Sequence, residues 1–90
     1  GKVISARAIK GEEAEVLEAV AMETSDIVDK PLNIIGMPKG SLVTGIIRGD
    51  QFIIPSGNSI IKPGDRIIIF ATRQAIPKIE KILAVKLEFF

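Results

Sequence analysis

Apolar positions along the chain change period several times, and each change marks an element. Between Val3 and Ile9 the residues alternate: Val3, Ser5, Arg7 and Ile9 fall on one face, Ile4, Ala6 and Ala8 on the other. A period of two is that of a half-buried strand. Lys10-Gly11-Glu12 reads as a turn, and Ala14–Ala21 then sets Val16, Glu18 and Val20 against Glu15, Leu17 and Ala19. Helix competes with strand in that second segment, but the short Gly-containing link favours a hairpin with the first. Residues 23–30 are polar and turn-like. Pro31 suits the first turn of a short helix through Leu32, Ile34 and Ile35, which Gly36 ends and Pro38 keeps from resuming.

The second half carries stronger punctuation. Leu42–Arg48 reads as a strand, Gly49-Asp50 as a two-residue type II′ turn with Gly first, and Gln51–Ile54 as the returning strand. Pro55 closes that strand and places it near an edge. Ser56-Gly57-Asn58 turns the chain, and Lys62-Pro63-Gly64-Asp65 has the Pro and Gly positions of a type II turn. The unbroken run Ile67, Ile68, Ile69 and Phe70 within Arg66–Ala71 predicts a central strand buried on both faces. Thr72 is the expected N-cap of a helix whose apolar stripe is Ile76, Ile79, Ile82 and Leu83, with Pro77 in its first turn. Val85, Leu87 and Phe89 alternate again, as an extra strand or a partner-binding end. The fold expected is α+β: a small, mostly antiparallel sheet of about five strands, a short helix after Pro31 and a C-terminal helix.

Composition narrows the chemistry. Of the 90 residues 17 are Ile, which stiffens the chain at χ1 and favours sheet over helix. The length fits a single domain. The chain starts at Gly1 without an initiator Met, so we read it as one domain cut from a longer chain. Twelve Lys and Arg against 11 Asp and Glu give a net charge of +1, without the basic surplus of a nucleic-acid binder. There is no Cys and no His, which removes thiolate metal sites and the commonest general base. The serines have no base to activate them, and no catalytic role is expected. No cofactor and no metal site is expected either. The acidic residues Glu12, Glu13, Glu15, Glu18, Glu23, Asp26 and Asp29 lack the spacing of a calcium loop and read as a solvated face.

Several of these motifs, taken in order, resemble the TrkA C-terminal domain, also called the RCK C-terminal domain. They are Glu15 and Glu18; Lys30-Pro31-Leu32; Pro38-Lys39-Gly40; Ile46-Ile47-Arg48-Gly49; Ile54-Pro55-Ser56-Gly57; and Ile61-Lys62-Pro63-Gly64-Asp65-Arg66-Ile67-Ile68-Ile69. The resemblance implies a cytoplasmic regulatory module of a potassium or other cation transport system, peripheral to or tethered at the inner face of the membrane. It implies a homodimer, coupled to a transporter membrane subunit or fused transmembrane domain, or to an upstream Rossmann nucleotide-binding domain, with a small-molecule effector. No G-x-G-x-x-G occurs in this chain, so the Rossmann fingerprint would lie elsewhere.

Two sets of residues are candidate sites. Ile34, Ile35, Met37, Leu42 and Val43, with Pro55, are either core or a dimer interface enclosing a ligand cleft. Some relatives bind cyclic di-AMP there, with an Arg before the loop and an Asn early in the strand. Those positions are Gly36 and Leu42 here, which offer no polar group, and this weighs against that ligand. Lys39 and Arg48 are the candidate anion contacts, drawn from a group that includes Arg66 and Arg73; pairing with nearby acids is the competing reading. A purely structural dimerisation module with no ligand of its own is the alternative function.

Overall fold

A computed structural model describes residues 2–9 and 14–85 of the chain. The β-branched segments form two antiparallel hairpins. The first joins β1 (Lys2–Ile9) to β2 (Ala14–Val20), and the second joins β3 (Ser41–Arg48) to β4 (Gln51–Ile53). Between the hairpins lies β5 (Arg66–Thr72), antiparallel to both β2 and β3, in the order β1-β2-β5-β3-β4. The five-stranded sheet expected is therefore present. So are α1 (Leu32–Ile35) and the C-terminal α2 (Ile76–Leu83), whose Pro lies in its first turn.

Register sorts the side chains by face. Ile67, Ile69 and Ala71 of β5 stand opposite Ala19, Leu17 and Glu15 of β2 and opposite Ile46, Val43 and Ser41 of β3. All the apolar members of that set are buried, and with Ile79 and Leu83 of α2 they form the core. Each such Ile or Leu gains about 1.5–3 kcal/mol from burial. A bulge between Val43 and Gly45 shifts the β3 register and keeps both Val43 and Ile46 pointed inward.

Three local expectations differ from what is found. Residues 23–30 are more than a polar turn, because Ser25, Ile27 and Val28 are buried and Ile27 sits in the core. An irregular segment has no period, so its inward residues carry no sequence signal. Thr72 makes no side-chain cap; a 3₁₀ turn, Arg73–Ala75, leads into α2 instead. Finally, β5 is central, but the described residues do not cover it on both faces. Phe70 is 42% exposed, and Ile68 is half-buried.

The turn into β5 has the geometry its sequence predicts. Gly64 adopts φ 89°, and the Asp65 N–H donates to the Lys62 carbonyl at 3.0 Å. Only a residue without a Cβ takes that conformation cheaply. The Gly64 N–H and Asp65 carbonyl both bond Ala21, tying the turn to the end of β2. The alternating tail proposed from Val85, Leu87 and Phe89 lies, beyond Val85, outside the described residues, as does the turn at Lys10-Gly11-Glu12.

Candidate functional site

Residues 29–33 run alongside 57–61 and are laced to them through the backbone. Asp29 donates to Ile61, Leu32 to Ser59 and Asn33 to Gly57, at 2.9–3.0 Å, and Pro31 bridges Ile60. This holds α1 against the segment after β4. At its end Gly36 turns left-handed, φ 68°, and donates to the Leu32 carbonyl. That stop sends the chain through Met37-Pro38-Lys39-Gly40 into β3. Ser41 fixes the entry: both its N–H and its hydroxyl donate to the Pro38 carbonyl.

The space left between α1, the start of β3 and residues 55–57 is a cleft of about 260 Å³. Leu32, Met37, Leu42, Val43 and Pro55 supply its apolar wall, and Asn33, Ser41 and Ser56 its polar groups. Four of the residues expected at a ligand cleft, Met37, Leu42, Val43 and Pro55, thus come together. Ile34 and Ile35 do not line it; Ile34 points to solvent, 69% exposed, and Ile35 is half-buried. Asn33, Ser41 and Ser56 carried no sequence signal, because short polar residues beside Gly and Pro read as loop. Among the described residues no charged side chain lines the cleft. Gly36 has no side chain and Leu42 an apolar one, so neither adds a polar group here.

Neither cationic candidate reaches that cleft. Lys39 lines a separate depression of about 420 Å³ with Gly40, Thr72, Gln74, Ala75 and Lys78. Arg48 is held by Asp65. Its Nε lies 3.0 and 3.2 Å from the two carboxylate oxygens, and its Nη2 lies 2.7 Å from Oδ2. Nη2 also donates to the Ile60 carbonyl at 2.9 Å, and the Lys62 N–H donates to Asp65 Oδ2 at 2.8 Å. Asp65 is 3% exposed. Burial is the largest single influence on its carboxyl and pushes the pKa up. The Arg48 and Lys62 hydrogen bonds and the Arg48 charge together outweigh it and hold the carboxyl below the ordinary range. The hydrogen bond to Asp65 is the main reason the Arg48 pKa is raised. Arg66 pairs instead with Glu18 on the neighbouring strand. The Arg48 and Arg66 partners are 17 and 48 residues away, too far for sequence spacing to reveal.

Among the described residues no three carboxylates converge on a metal-sized site, and no helix is long and apolar enough to cross a membrane.

Residues 16–84 match the family model described as the TrkA-C domain. A Trk system potassium uptake protein TrkA homolog 2 from Methanosarcina mazei is 49% identical over 91% of this chain, which covers 18% of that protein. The Trk system potassium uptake protein TrkA from Azorhizobium caulinodans is 32% identical over 100% of this chain and is covered for 20% of its length. A TrkA homolog from Pyrococcus abyssi is 31% identical over 86% of the chain, covered for 34%. The chain thus spans a minor part of each relative.

Proposed function

The chain belongs to the TrkA-C domain family, and from that premise we propose that it is a regulatory ligand-binding and dimerisation module of a potassium or other cation transport system. It is non-catalytic. It works in the cytoplasm, at the inner face of the membrane, joined to a transporter subunit or to a Rossmann-type nucleotide-binding domain. A small molecule bound between two copies favours one arrangement of the pair and so biases the attached machinery. It moves that equilibrium only by its differential affinity for the two arrangements.

The observation carrying this reading is the cleft beside α1. It is apolar with a few convergent polar groups, as ligand sites are. At about 260 Å³ it falls just below the ~300–1,000 Å³ of a typical site, and two facing copies would bring it into that range. The absence of charge on its wall favours a neutral or weakly polar effector. The same absence supports a second reading, a purely structural dimerisation module.

Thermal denaturation across uncharged nucleosides, nucleobases and sugars, with cyclic dinucleotides, adenine nucleotides, NADH, Ca²⁺ and Mg²⁺ as charged comparisons, tests the two. A ligand at 100 times its Kd adds ~2.7 kcal/mol, a rise of about 10 °C or more in a domain this small. One compound should raise Tm in the native chain and lose its effect in Ser56→Trp, which fills the cleft. If no compound shifts the folded protein, the ligand-binding reading fails and the structural one stands.

A further inference from the structure

The depression that Lys39 lines gathers positive charge without an acid to answer it. It lies where the loop Met37-Pro38-Lys39-Gly40 meets the end of β5 and the start of α2, and its volume of about 420 Å³ is within the ~300–1,000 Å³ of small-molecule sites. Lys39 enters from the loop and Lys78 from α2, while Thr72 and Gln74 add a hydroxyl and an amide. Among the described residues no carboxylate lines it; Glu15, across from Ala71 on β2, does not. It shares no lining residue with the cleft beside α1.

Two local features fit this depression to a ligand and not to the fold alone. The first is the position of Lys78. It is the third residue of α2, where the helix dipole disfavours a cation, and the first turn carries no acid to offset it. Its neighbours at three and four residues are Gln74, Ala75, Lys81 and Ile82, so no carboxylate can pair with it along the helix. Neither Lys78 nor Lys39 forms an ion pair among the described residues. The second is the packing of Gly40 on Thr72. Gly40 adopts φ 88°, and its carbonyl accepts from the Thr72 N–H at 2.9 Å. A Cβ built there would lie 2.6 Å from the Thr72 hydroxyl, so a side chain at 40 would take that hydroxyl's place. Thr72 makes no helix cap, so its hydroxyl remains available where it lines the depression.

We propose that this depression binds a soluble, phosphate-bearing small molecule through Lys39 and Lys78. Lysine ammonium groups hold phosphate as point charges. The Thr72 hydroxyl and the Gln74 amide supply further donors. Apolar surface is limited to Gly40 and Ala75, so the site recognises the phosphate and not the body attached to it. A bound anion also offsets the conflict between Lys78 and the helix dipole, so binding stabilises the start of α2. The site does not depend on the cleft beside α1, and it stands or falls separately from the function proposed above.

Calorimetric titration of the native chain with sodium pyrophosphate, at low and then raised chloride, tests this. Saturable one-to-one binding in the sub-millimolar range is expected, weakening as chloride rises. Lys39→Gln and Lys78→Gln should each raise Kd about fivefold, the upper end for one exposed ion pair, and the two together about 25-fold. Thermal melts give a second readout. Without pyrophosphate, Lys78→Gln should melt ~1–8 °C above the native chain, because it removes a cation from the first turn of α2. Pyrophosphate should narrow that gap by stabilising the native chain more. Absence of saturable binding, unchanged affinity in both lysine variants, or a lower melting temperature for Lys78→Gln overturns the proposal. Tighter binding to phosphatidic-acid vesicles than to pyrophosphate overturns it in favour of a lipid headgroup. Ser56→Trp, in the cleft, should leave pyrophosphate binding unchanged. Binding lost in Ser56→Trp and kept in both lysine variants puts the anion in the cleft; this proposal then fails while the ligand-binding reading stands.

Discussion

Replacing Asp65 by Asn removes one charge and leaves the shape of the turn unchanged. Asp65 accepts from Arg48 through both oxygens and from the Lys62 N–H through Oδ2. An Asn can keep its carbonyl at the Oδ2 position and still accept from Lys62. Its amide nitrogen then faces the Arg48 Nε–H, donor against donor. Hydrogen bonds to charged groups contribute ~1.5–3 kcal/mol, and a buried group that loses one also carries its desolvation penalty. Arg48 is 39% exposed and regains water when released, so the loss at Asp65 should be near the lower end, about 2 kcal/mol. In a domain of this size that lowers Tm by ~8–16 °C at pH 7. The pH dependence separates this cause from a packing defect. The folded carboxyl titrates below its unfolded value of ~3.9, so its contribution is complete above that value and disappears as pH falls through the folded one. Circular dichroism melts of native and Asp65→Asn protein from pH 7 to pH 3 should show a gap that narrows on acidification. A drop at pH 7 of less than ~3 °C, or a gap that stays constant with pH, would refute the reasoning.

Two further outcomes follow from packing. Gly45→Ala should destabilise the native chain by about 1 kcal/mol, because the new methyl displaces the Phe52 ring. In a Phe52→Ala background the same change should stabilise by ~0.5–1 kcal/mol, since Ala restricts the unfolded chain more than Gly; urea denaturation of the four proteins reads the sign reversal. Ile79 is fully buried on α2, and Ile79→Ala should cost ~2–5 kcal/mol, measured as a lower urea midpoint at unchanged slope.

The elements were legible where the signal is local. Gly49-Asp50 and Pro63-Gly64 carry their turn types in two residues each, and the Ile67–Phe70 run announces a central strand. What the run could not say is whether a second layer covers it. An uncovered apolar face and a covered one have the same composition, and only the placement of α2 and of Ile27, Val28 and Ile61 on the opposite side decides. The cleft was half legible. Met37, Leu42, Val43 and Pro55 line it, while Ile34 and Ile35 lie off it because the one-turn α1 is fixed by backbone bonds to residues 57–59 and by Leu32, which packs against the core. Arg48 looked available because it flanks a turn; its partner Asp65 arrives from the Lys62–Asp65 turn, 17 residues further on, through the folding of the sheet itself.

The strand order also sets a timetable for folding. Each hairpin is continuous in sequence, yet neither has a lasting neighbour until β5 is inserted between them. Isolated two-stranded hairpins are marginal in water. During synthesis, some sixty residues must therefore wait, with their apolar faces unprotected, for one late strand. Fragments ending before Arg66 should then be ready chaperone clients, while a chain that has released α2 closes in a single cooperative step.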